Sequence, residues 1–118
     1  MASARDDYLQ RLITQAAEAL RRLRTRLGSG DSLALVREDA DGAIGTLLGP
    51  QRDMLERLDA WSAIHLLGDA ARAGAWVDLV EVQADTHDAD GDATRSNALR
   101  QRVTALRAQL AALPATPR

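Results

Sequence analysis

The sequence predicts an all-α protein of five to six antiparallel helices, arranged as a helical bundle or as repeat-like helix hairpins. Three observations carry that prediction. Apolar residues recur at steps of three and four along most of the chain. Glycine and proline stop signals divide the chain at short intervals, at Gly28-Ser29-Gly30, Gly49-Pro50, Gly68, Gly91 and Pro114. Alanine and leucine dominate, both favour helix, and no run of alternating β-branched residues reads as a strand.

The first helix is read over Asp6 to Leu27. Its stripe is Leu9, Leu12, Ile13, Ala16, Leu20, Leu23 and Leu27. Asp6 and Asp7 stand at the positive end of the helix dipole, and Arg21, Arg22, Arg24 and Arg26 at the negative end. Asp31 or Ser32 caps a second helix with the stripe Leu33, Val36, Ala40, Ile44 and Leu47. Gly42 and Gly45 lie inside it. They mark either a close helix crossing or an early end.

Pro50 suits the first turn of a third segment, which carries Met54, Leu55 and Leu58. Asp59 caps again before Trp61, Ile64 and Leu67, so this stretch is two short helices or one helix bent near Asp59. Asp69 caps the next helix, which runs to about His87 with Ala73, Trp76, Val77, Val80 and Ala84 on one side. His87 to Asp92 reads as a loop. Asp92 caps the last helix, with the stripe Leu99, Val103, Leu106, Leu110 and Leu113.

At 118 residues the chain is sized for one domain, spanning 1–118, with 1–5 and 114–118 as frayed ends. A hydrophobic fraction of 46% is enough for a core and argues against disorder. That core is aliphatic, because phenylalanine is absent and the aromatics are Tyr8, Trp61 and Trp76. All 15 basic residues are arginine, a pattern of GC-rich coding or of selection for planar guanidinium forks. A net charge of −2 argues against nucleic acid as a partner for the chain as a whole. The absence of cysteine removes disulfides, thiolate metal sites and cysteine nucleophiles. No apolar run approaches the roughly 18 residues that span a bilayer, and Met1 to Asp7 lacks the apolar core of a signal peptide. The expected location is therefore cytoplasmic, with no membrane partner.

The opening segment resembles a known family. Arg5-Asp6-Asp7-Tyr8-Leu9, then Arg11-Leu12-Ile13, Gln15, Ala19 and Leu20, and later Leu47-Leu48-Gly49, are similar to a family of small, uncharacterised bacterial all-helical proteins that open with an Arg-Asp-Tyr helix. The likeness covers Arg5 to about Gly49. The chain departs from it by an extra Asp in the opening motif and by Thr14 in place of glutamate. The resemblance implies a tetratricopeptide-repeat-like helical fold and assigns no catalytic residues.

Few residues carry candidate chemistry. The acidic run His87-Asp88-Ala89-Asp90-Gly91-Asp92 suggests a cation loop, but placing Gly91 at position six of an EF-hand puts Thr86 at position one and Asn97 at twelve, and neither end ligand fits. His65 and His87 are the only histidines. They carry the alternative reading of a small metal-binding or hydrolytic protein that uses nearby acids. His65, between Ile64 and Leu66, reads instead as a partly buried helix residue with a hydrogen-bond partner. Asp78 to Asp92 holds six acids and no arginine, while Ala93 to Arg118 holds five arginines and no acid. As a hairpin these segments neutralise each other, with Arg95, Arg100, Arg102 and Arg107 beside Asp78, Glu81 and Asp85. A third reading turns the same arginines into a strip for RNA.

The leading expectation is a non-enzymatic interaction or scaffold module with no cofactor and no metal. It is expected to be a homodimer, or to hold a partner helix. The expected surface is Leu9, Ile13, Leu20 and Leu27 on the first helix, with Trp61 and Trp76 as anchors.

Overall fold

A computed structural model describes residues 3–114. Six α-helices follow one another: α1 (Ala4–Gly28), α2 (Leu33–Leu48), α3 (Arg52–Arg57), α4 (Ala60–Leu67), α5 (Ala70–Ala89) and α6 (Ala93–Ala111). A single 3-10 turn, Gly49–Gln51, joins α2 to α3. No strand occurs among the described residues. The all-α bundle is therefore the observed architecture, with overall dimensions of 46 × 26 × 24 Å.

Local signals set most of the boundaries. α1 begins at Ala4, two residues before the expected start, because Ser3 and Asp6 form a capping box. Ser3 Oγ accepts from the Asp6 amide at 3.1 Å, and the Asp6 carboxylate accepts from the Ser3 amide at 3.4 Å. Ser32, rather than Asp31, caps α2. Asp59 caps α4 and accepts hydrogen bonds from the Ser62 amide and hydroxyl, which hold its carboxyl below its ordinary pKa. Asp69 and Asp92 cap α5 and α6 as expected. Of the two ends read as frayed, 1–5 and 114–118, Ser3 to Arg5 instead form the cap and first turn of α1, and residues 1–2 and 115–118 lie outside the described residues.

Two alternatives are resolved and one expectation is corrected. The Pro50 to Leu67 stretch is two short helices, α3 and α4, broken at the extended Leu58. The glycines of α2 do not end it early, since the helix runs to Leu48 and stops at Gly49 with φ +62°. The loop read over His87 to Asp92 is shorter. α5 continues to Ala89, and the turn is Asp90 and Gly91, where a φ of +78° favours glycine.

α5 is the central helix. It packs against α1, α2, α4 and α6, while α6 meets α4 and α5 but neither α1 nor α2. α5 accordingly buries neighbouring positions, Trp76 with Val77 and Leu79 with Val80, as a helix covered on opposite sides must. α1 and α2 form a layer on one side of it, and α4 and α6 cover another. The core is one cluster that joins Leu12, Ala16, Leu20 and Leu23 of α1 to Val36, Ile44 and Leu47 of α2 and to Trp76 of α5.

Arginines close the seams between helices. The Arg72 guanidinium of α5 donates to the Leu47 carbonyl at 2.9 and 2.8 Å and to the Leu48 carbonyl at 3.3 Å. Those carbonyls belong to the last turn of α2, which has no intrahelical donors for them. Arg102 of α6 donates to the Leu55 carbonyl at 3.1 Å and lies 5.9 Å from the centroid of the Trp76 ring. Arg52 donates to the Asp41 carbonyl at 3.0 Å and also pairs with the Asp41 carboxylate. A Cβ at Gly45 would lie 3.3 Å from Nη1 of Arg52, so this glycine makes room for that guanidinium.

Candidate interaction site

The expected surface divides in the fold. Leu20 and Trp76 are core residues, 8% and 2% exposed, and are withdrawn as contact residues. Leu20 falls on the side of α1 that its own subunit covers, and Trp76 lies in the central helix. Leu9, Ile13 and Leu27 are only half-buried, so they remain a narrow flank. Trp61 is 57% exposed.

The indole of Trp61 is fixed by its neighbour. Its ring stacks on the His65 ring with centroids 4.1 Å apart. His65 Nδ1 lies 2.8 Å from the Trp61 carbonyl oxygen. His65 is exposed rather than partly buried, and its hydrogen-bond partner is the carbonyl four residues back in its own helix. Met54 and Leu66 are also about half exposed. The α3–α4 hairpin thus carries three of the large exposed apolar side chains.

The second feature is a groove of about 490 Å³ between α1 and α2. Leu12, Ala16, Ala19 and Leu23 line it from α1, and Ala43 and Leu47 from α2. It exists because the helices present alanine and glycine where they run side by side, so the crossing is under-filled. Gly42 also lines it, and a Cβ at Gly42 would meet nothing within 4 Å. No contact inside the subunit therefore requires a glycine at that position, although glycine weakens a helix interior by about 0.5–1 kcal/mol.

The two walls differ in charge. Arg22 and Arg26 stand on the α1 wall, and Asp39 on the α2 wall. Arg26 pairs with Asp31 at 3.2 Å and also with Asp39. Arg11, Arg21, Arg22 and Arg24 make no ion pair among the described residues, nor does Glu38 on α2. Tyr8, 56% exposed, continues the stripe Leu12, Gln15, Ala19 and Arg22 by one turn. The apolar stripe alone gave no sign of this groove. The signal in the sequence was a run of small residues, Ala16, Ala19, Gly42 and Ala43, at positions that face one another only after α1 and α2 pair.

The remaining candidate residues have structural partners. Arg100 reaches Asp85 at 2.8 Å and Asp88 at 3.5 Å, and Arg107 reaches Asp78 and Glu81 at 3.1 Å each. Arg95 pairs with Asp92 in its own helix, and Arg102 is occupied with Leu55 and Trp76. The α5–α6 hairpin therefore does neutralise itself along most of its length. Among the described residues no group of three or more His, Cys, Asp or Glu side chains could hold a metal ion. The acids of the 87–92 segment are instead spread over separate arginines, Asp90 to Arg37 at 3.4 Å and Asp88 to Arg100.

His87 is buried at the end of α5, and burial and the Arg37 charge push its pKa below the ordinary value. Arg37 also donates to the buried Thr86 hydroxyl at 3.1 Å, which in turn donates to the Gln83 carbonyl at 2.7 Å. No described helix is long and apolar enough to cross a membrane. Comparison with protein-family models, with curated proteins and with solved structures finds no match, so the family resemblance of Arg5 to Gly49 stands on those residues alone.

Proposed function

We propose that this protein is a non-enzymatic helical interaction module that docks a partner helix in the α1–α2 groove. The observation that carries the reading is the groove itself. Its apolar lining joins alanines and a glycine to Leu12, Leu23 and Leu47, its volume lies within the range of binding clefts, and Arg22 on the α1 wall makes no ion pair among the described residues. Such a site suits large apolar side chains at helical spacing, with acids on the partner toward α1. Two further facts support a role without catalysis. His65 is engaged with its own helix, and the acids near His87 are held by arginines.

A displayed library of amphipathic helices tests this directly. Helices selected against the wild-type chain should lose about tenfold or more in affinity against Ala19→Trp, whose indole fills the groove. Selected helices that bind both proteins equally would place the docking surface elsewhere.

A further inference from the structure

We infer that the occupant of the α1–α2 groove is the α3–α4 hairpin of a second copy of this chain, with Trp61 as the inserted side chain. The inference rests on the proposed reading of the groove as a docking site. It commits that site to one partner.

The two surfaces are both apolar. The groove is lined by Ala16, Ala19 and Ala43 together with Leu12, Leu23 and Leu47. The hairpin exposes the Trp61 indole on α4, with Met54 exposed on α3 before it. An indole buries on the order of 150–250 Å² when it is covered, and it is a side chain that interfaces favour as an anchor. Trp61 is also pre-organised. The His65 stack and the bond from His65 to the Trp61 carbonyl hold the ring in place before any partner arrives. Less rotamer freedom is then lost on association.

The charges match as well. Asp53 and Arg57 flank Met54 and Leu58 on the hairpin, and neither makes an ion pair among the described residues. The groove offers Arg22, which makes no ion pair among the described residues, as a partner for Asp53. Arg22 can lie over the inserted indole as a cation–π partner.

The contact must be between molecules. α4 touches α3, α5 and α6 but neither α1 nor α2, so Trp61 does not reach the groove of its own subunit. Knob and groove are different patches. A contact made once per pair is head-to-tail and grows into a ring or an open chain, while one made reciprocally closes a two-fold dimer.

Sedimentation velocity from micromolar to millimolar protein tests the inference. The wild-type sedimentation coefficient should rise with concentration. Trp61→Ala, which lacks the knob, and Ala19→Trp, which lacks the groove, should each stay monomeric. An equimolar mixture of the two should form a 1:1 dimer and grow no further, because only one knob and one groove remain intact. Gly42→Ala guards against misfolding. It adds a methyl group in open space on the groove and should raise the melting temperature while weakening assembly. A wild type that is monomeric throughout, a mixture that does not pair, or single variants that assemble like the wild type would overturn the inference. The helix-library test reads the groove independently. A monomeric wild type whose library helices are lost in Ala19→Trp defeats self-docking and leaves the groove reading standing. Library helices indifferent to Ala19→Trp defeat the groove reading itself.

Discussion

The two tryptophans show how little residue type says about role. Trp76 sits in α5 at 2% exposure, and its indole Nε1 is buried with no acceptor among the described residues. Trp61 stands at 57% exposure on α4. Trp76→Ala should lower the unfolding free energy by about 3–5 kcal/mol in urea titration. Trp61→Ala should change it by less than about 0.5 kcal/mol. His87 adds a pH dependence. Its folded pKa lies below the ordinary value near 6.5, chiefly through burial and next through Arg37, with Arg95 acting in the same direction and Asp92 and Asp90 against it. The unfolded chain therefore takes up the proton first as pH falls. The contribution of neutral His87 is complete above about pH 6.5 and is lost progressively below it. Chemical denaturation at pH 7.5 and pH 5 should show a loss in the wild type that is smaller in His87→Gln.

At the scale of elements, arginine acts as a terminator as well as a charge. Arg72 uses two nitrogens on the last carbonyls of α2, and Arg102 reaches the Leu55 carbonyl of α3. A lysine ammonium is a point donor and does not reproduce that fork. Arg72→Lys should therefore destabilise the protein by about 1–2 kcal/mol in urea titration, the cost of under-satisfied carbonyls rather than of a lost charge. The surface pairs of the α5–α6 hairpin are of another kind. Arg107 with Asp78 and Glu81, and Arg100 with Asp85 and Asp88, are partly exposed and contribute about 0–1 kcal/mol each. Their effect is to align the hairpin and to take its arginines out of reach of an acidic partner.

For the whole molecule, order of burial sets order of stability. α5 touches four other helices, while α6 covers one side and has no contact with α1 or α2. Amide hydrogen exchange should therefore be slowest in the middle of α5, around Trp76 to Val82, and faster along the outer faces of α1 and α6. Strongest protection in α1 with α5 exchanging early would contradict the central place of α5. The layer of α1 and α2 meets α5 on one side and leaves its other side, with the groove, uncovered. That arrangement makes the α1–α2 face available for association without unfolding any part of the core.

Helix content, the caps at Asp59, Asp69 and Asp92, and the core stripe of α1 through Leu12, Ala16, Leu20 and Leu23 were determined by the sequence, because propensity, capping and 3.6-residue periodicity are local properties. The neutralising α5–α6 hairpin was legible too, since a short turn forces antiparallel neighbours. Which apolar residues would be left outside was not. Leu20 and Trp61 both sit in apolar-spaced helix segments, yet one is covered and the other stands in solvent. That difference depends on which helices pack against which, a long-range outcome that no local pattern contains. The groove came from the same source. Ala19 and Gly42 are ordinary small residues 23 positions apart until α1 and α2 lie side by side, and only then does their missing volume become a site.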